Sequence, residues 1–62
     1  MIEYRIYVLS GDERIAQALE DRFANDNEAL ERAEDVYAGH YAAEVYDGER
    51  LVARLGGPFK LD

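Results

Sequence analysis

From Ile2 to Leu9 the chain alternates: Ile2, Tyr4, Ile6 and Val8 fall on one side, Glu3, Arg5, Tyr7 and Leu9 on the other. A period of two in β-branched and aromatic residues predicts a strand with one face buried. Ser10-Gly11-Asp12 then predicts a turn. Residues 14–24 fit two templates. At helical spacing Ile15, Ala18, Leu19, Arg22 and Phe23 share a face; at strand spacing Ile15, Gln17, Leu19, Asp21 and Phe23 do. Abundant Ala, Leu, Glu and Gln favours helix, whereas the short connection and the first strand's need for a partner favour a hairpin return. The pattern leaves both open.

Asn25-Asp26-Asn27-Glu28 predicts a helix start. Asn or Asp caps orphan N–H groups, and acids in the first turn meet the positive end of the helix dipole. Ala29, Leu30, Ala33, Val36 and Tyr37 continue as an apolar stripe, and Gly39 is the expected left-handed terminator. The helix is placed at about 26–38, with Glu28 and Arg32 as an exposed i,i+4 pair.

Two further alternating runs meet at Asp47-Gly48. Tyr41, Ala43 and Val45 share a face going in; Leu51, Ala53 and Leu55 share one coming out. A two-residue Asp-Gly loop would pair Tyr46 with Glu49 and set Val45 beside Arg50. A three-residue loop, Tyr46-Asp47-Gly48, pairs Val45 with Glu49, Glu44 with Arg50, Ala43 with Leu51 and Tyr41 with Ala53, so the apolar residues meet. Because a one-residue slip moves every side chain to the other face, the three-residue loop is expected, with Gly48 in the left-handed position.

The stretches Tyr4–Leu9 (YRIYVL), Arg14-Ile15, Asp26–Leu30 (DNEAL), Gly39-His40 and Glu44–Leu55 (EVYDGERLVARL) resemble a group of short, uncharacterised bacterial proteins common in alphaproteobacteria. The likeness covers about residues 4–55. It implies that 14–23 is a strand, although Ala16, Gln17 and Leu19 are more helical than the group's pattern, and it implies no activity. The expected fold is therefore a small α+β domain, ββαββ, with one helix on one face of an antiparallel sheet; βααββ is the fallback. The domain takes residues 1–56 and a tail 57–62, in which Phe59 and Leu61 dock on the core or on a second subunit. Its core is expected to hold Ile2, Tyr4, Ile6, Val8, Ile15, Phe23, Leu30, Ala33, Tyr37, Ala43, Val45, Leu51 and Leu55.

Composition changes this picture in two ways. A chain of 62 residues buries only about 60% of the surface its unfolded form exposes. With no cysteine and a single histidine, His40, neither disulfides nor a clustered metal site can supplement the core. No cofactor is expected, and self-association is the remaining route. Second, the net charge of −7 is uneven: residues 12–39 hold nine acids against three arginines. Such a surface repels a phosphate backbone, which disfavours nucleic acid as a partner. No apolar run approaches the roughly 20 residues that span a bilayer. The N-terminus also lacks the continuous apolar segment of a signal peptide, so a cytoplasmic protein without membrane contact is expected.

Candidate chemistry is sparse. His40 follows the helix, where the dipole favours a cation. Neighbouring carboxylates such as Glu34-Asp35 point apart, Ser10 has no base nearby, and no nucleophile elbow or phosphate loop occurs. No enzymatic site is read from these residues. The candidate interface is the second face of the sheet: Arg5, Tyr7, Tyr46, Arg50, Val52 and Arg54, with Leu9 beside them. Tyr and Arg are enriched at binding hot spots. The expectation is a non-catalytic interaction module, a homodimer formed through the open sheet face or an edge strand. The alternative is an acidic inhibitor or nucleic-acid mimic that binds a basic protein partner through residues 12–35.

Overall fold

A strand needs neighbours for its backbone N–H and C=O groups, and Ile2–Leu9 (β1) finds two. The computed structural model describes residues 1–57 and places β2 (Ile15–Phe23), α1 (Asp26–Tyr37), β3 (Ala42–Asp47) and β4 (Arg50–Gly56) around it. The strands form one antiparallel sheet in the order β2-β1-β3-β4, with α1 on one face, giving ββαββ. The expected docking of Phe59 and Leu61 falls outside the described residues.

Pairing with β1 decides residues 15–23 for strand, against their helical propensity. The register runs from Ile2↔Phe23 to Val8↔Gln17, and then Leu9 faces Ile15, so Ala16 is an inserted residue on β2. Only Leu19 and Phe23 of this strand are half-buried, which is why the run lacks the alternation of β1. The preceding turn closes when Ser10 N–H donates to Arg14 O (2.9 Å) and Glu13 N–H to Ser10 O (2.8 Å). It holds Glu13 at a left-handed φ of 63°.

Tyr4, Ile6 and Val45 from the sheet are buried against Ala29 and Ala33, whose small side chains let the helix lie close. Leu19, Phe23, Val36, Val52 and Leu55 close the sides, and the Tyr4 and Phe23 rings tilt together at 5.9 Å. Leu30 and Tyr37 are half-buried. Three residues expected in the core are exposed instead: Ile2, Ile15 and Leu51, at 40%, 60% and 47%. β3 pairs only with Arg5–Leu9, so Ile2 has a neighbour on one side alone. Ile15 stands beside the Ala16 bulge on an outer strand. Leu51 is displaced by the hairpin register.

That hairpin corrects the three-residue loop. Asp47 pairs with Arg50 and Tyr46 with Leu51, leaving a two-residue loop, Gly48-Glu49. Gly48 takes a φ of 61° and Glu49 is not left-handed, the pattern of a type II′ turn, which takes Gly first. Parity is restored inside β4, where Val52 is an inserted residue, so that Val45 faces Ala53, Glu44 faces Arg54 and Ala43 faces Leu55. Val52, expected on the open face, therefore packs against the core, and Leu51 points away from it. Arg50, also expected on the open face, turns to the helix side. Its Nη2 reaches Asp26 at 3.2 Å and Asp47 at 3.0 Å.

The helix starts where its sequence predicts. Asn25 Oδ1 accepts from Glu28 N–H at 3.0 Å, and Glu28 Oε1 accepts at 3.1 Å from the N–H of Ala24, the residue before the cap. Glu28 is thus turned back toward the cap, and the expected Glu28–Arg32 pair is not formed. Asp26, in the first turn, accepts from the buried Tyr4 hydroxyl at 2.6 Å as well as from Arg50. Those two donors, Tyr4 first, hold the Asp26 carboxyl below its ordinary range. The same hydrogen bond, with burial, pushes the Tyr4 phenol up to about 12. At the far end of the sheet Gly56 (φ 67°) passes so near the helix that a Cβ there would lie 2.7 Å from the Tyr37 ring.

Candidate interaction face

The alternation that buries Tyr4, Ile6 and Val8 sends Arg5, Tyr7 and Leu9 to the other side of the sheet. Pairing then sets residues of four strands in rows. Ala18, Tyr7, Glu44 and Arg54 form one row, and Glu20, Arg5, Tyr46 and Leu51 the next. A further row begins with Arg22 and Glu3 and ends at the Gly48-Glu49 turn.

Tyr7 and Tyr46 stand diagonally on the two central strands, their rings edge to face at 5.6 Å and 70°. Arg5 Nε meets Glu20 Oε2 at 3.0 Å on one flank. On the other, Arg54 Nη1 meets Glu44 Oε2 at 2.7 Å, and Nη2 reaches Glu13 Oε1 at 3.2 Å. Glu44 also accepts from the Tyr46 hydroxyl at 3.2 Å. The Arg54–Glu44 side chains are 10% and 21% exposed, so this pair is held firmly. Arg5 and Glu20, each 57% exposed, form a solvated pair that contributes little to stability.

The hydrogen bond that Arg54 donates to Glu44 raises Arg54 further above neutrality. Burial, then Glu44, pushes the Tyr46 phenol up, and the Tyr7 hydroxyl, then Glu20, raises Arg5. The arginines stay charged and Tyr46 neutral at physiological pH.

The two ends of the face differ. Glu13 and Arg54 join the β1–β2 turn to β4 across β1 and β3, and at that end Leu9 and Ala42 are buried. The Arg22–Glu49 end is open. Two shallow hollows flank Tyr7. One, of about 310 Å³, lies against Arg5, Ala18, Leu19 and Glu20; the other, about 380 Å³, against Ile15, Glu44, Tyr46, Gly48 and Glu49. Both are open above, which suits an inserted side chain better than an enclosed small molecule.

Comparisons with protein-family models, with curated proteins and with solved structures find no match to this chain.

Of the six predicted interface residues, the fold brings Arg5, Tyr7, Tyr46 and Arg54 together on one surface, and places Arg50 and Val52 on the other side. Sequence reasoning missed Glu44, Glu20, Arg22, Glu49 and Leu51. Glu44 was within reach, since it alternates with Val45 beside Tyr46. Glu20 and Arg22 needed the register of β2 against β1, which expecting a strand there does not supply, and Leu51 needed the bulge. His40 is exposed, its backbone N–H donating to Tyr37 O at 2.8 Å. Among the described residues no three His, Cys, Asp or Glu side chains gather to hold a metal ion, and no helix is long and apolar enough to cross a membrane.

Proposed function

We propose that this chain is a non-catalytic interaction module that pairs with a second copy of itself through the open face of its sheet. One observation carries the reading: the Tyr7–Tyr46 pair stands between Arg5–Glu20 and Glu44–Arg54, an aromatic centre flanked by balanced charge. Elsewhere the molecule is acidic, with Glu28, Glu31, Glu34 and Asp35 all exposed on the helix. Two copies at −7 repel over most of their surface. On the open face, where Arg5, Arg22 and Arg54 stand against Glu3, Glu20, Glu44 and Glu49, that repulsion is weaker.

The edges of the sheet are less suited. Each outer strand carries an inserted residue, Ala16 on β2 and Val52 on β4, and bulges discourage the addition of strands. Four short strands spaced about 4.8 Å apart offer a face of roughly 500 Å². A face-to-face dimer then buries about 1,000 Å² in total, the lower limit for a specific interface. Binding of a basic partner through residues 12–35 has less support: Glu13, Glu20 and Asp26 are already paired with arginines, and Glu28 with the helix cap.

Sedimentation equilibrium from about 10 μM to about 1 mM tests the proposal. A monomer–dimer equilibrium is expected, weakened when Tyr7 and Tyr46 are both changed to Ser. A wild-type monomer throughout, or a dimer indifferent to that double change, would refute it.

A further inference from the structure

Two sheet faces can be stacked about a two-fold axis lying along the strands, across them or diagonally, and unpaired charges distinguish these. Arg22 on β2 and Glu49 in the β3–β4 turn are both exposed, and neither side chain has an ion-pair partner among the described residues. They stand at opposite sides of the same, open end of the face.

An axis along the strands lays β2 of one copy over β4 of the other, and β1 over β3. Arg22 then meets Glu49 of the second copy, and symmetry repeats the contact. In the same arrangement Arg5 lies over the Tyr46 ring of the second copy, a cation–π contact, and Glu20 lies over Leu51. An axis across the strands instead brings Arg22 to Ile15 at the closed end and leaves Glu49 without a basic neighbour. One diagonal axis sets Arg5 over Arg5 and Glu44 over Glu44. The other diagonal sets Tyr7 over Tyr7 and Tyr46 over Tyr46 and carries Arg22 past the edge of β4. Of these axes the one along the strands alone joins Arg22 to Glu49. Glu3, likewise exposed and in no ion pair among the described residues, then lies over the Gly48 turn. This axis also keeps the two sheets aligned, the common way for sheets to stack.

We infer that Arg22 of one copy pairs with Glu49 of the other in a dimer whose two-fold axis runs along the strands; this rests on the self-association proposed above. Charge reversal tests it. Arg22→Glu and Glu49→Arg each create two like-charge contacts, and each should weaken the homodimer about tenfold or more. An equimolar mixture of the two variants, and the double variant, should regain the wild-type constant to within about threefold. Glu49→Arg, in an exposed turn, should leave the urea midpoint of the dilute monomer unchanged, whereas Arg22→Glu, which sets a second carboxylate opposite Glu3, should lower it slightly. A wild-type monomer overturns self-association and this pairing together. A wild-type dimer that ignores the single reversals, or whose loss the mixture does not repair, overturns the pairing alone.

Discussion

Asp26 is a single carboxylate on which three elements depend: β1 through Tyr4, the hairpin through Arg50, and α1, whose first turn it occupies. Its pH behaviour follows from the directions of the shifts. Asp26 lies below its ordinary range when folded, so its contribution is present above about pH 4, the unfolded value, and is lost as pH falls through the lower folded one. Tyr4 lies above its ordinary value of 10.0, at about 12; its contribution is whole below pH 10.0 and is lost as pH rises toward 12. Urea midpoints should therefore fall at both extremes, and Tyr4→Phe should flatten both limbs. An alkaline limb unchanged in that variant would contradict the assignment. Gly56 makes a second prediction at this scale. Gly56→Ala places a methyl group 2.7 Å from Tyr37 in a left-handed conformation. A loss of about 2 kcal/mol or more is expected in chemical denaturation.

Helix α1 and hairpin β3–β4 show what a local pattern can and cannot specify. The helix was legible because Asn25 and the stripe Ala29–Ala33–Val36 are signals within one element. Asn25→Ala should cost about 1 kcal/mol, read from the urea midpoint, and Asn25→Asp far less. Strand β2 was legible from its setting, the short turn and the need of β1 for a partner, and not from its own pattern, since an outer strand with only Leu19 and Phe23 turned inward shows little alternation. The hairpin was half legible. The need to match apolar faces was visible in the sequence, but a longer loop and a bulge meet it equally well. Every residue between loop and bulge then changes sides, which is why Arg50, Leu51 and Val52 were misassigned, while Arg5 and Tyr7, on an unbroken alternation, were not. Alanine variants separate the two registers. In dilute solution Val52→Ala should cost about 1 kcal/mol and Leu51→Ala less than about 0.5. The three-residue loop requires the reverse order.

Charge acts on the molecule as a whole. Its longest dimension is 34 Å. Unscreened range is about 30 Å at 0.01 M salt and about 8 Å at 0.15 M, so the excess of seven negative charges repels across the entire fold only in the first condition. Raising salt between these concentrations should lift the thermal midpoint of the dilute monomer by about 4 °C, the response of a small domain to ~0.5–1 kcal/mol. A fall would mean that the Arg–Glu pairs on the open face outweigh the net charge.

The strand order also bears on how the protein comes into being. Leu9 and Ala42 are neighbours in the sheet but 33 residues apart along the chain. During translation β1 can join β2 at once, yet its Tyr4–Ile6–Val8 surface stays wet until the helix and the second ribbon have been made. A nascent chain halted before Asp26 is a two-stranded ribbon without a roof, marginal in water and prone to stick; one halted before Ala42 has the helix but still lacks Val45 and both strands of the second ribbon. Biosynthesis thus offers no stable halfway stage: the chain folds late, and all together.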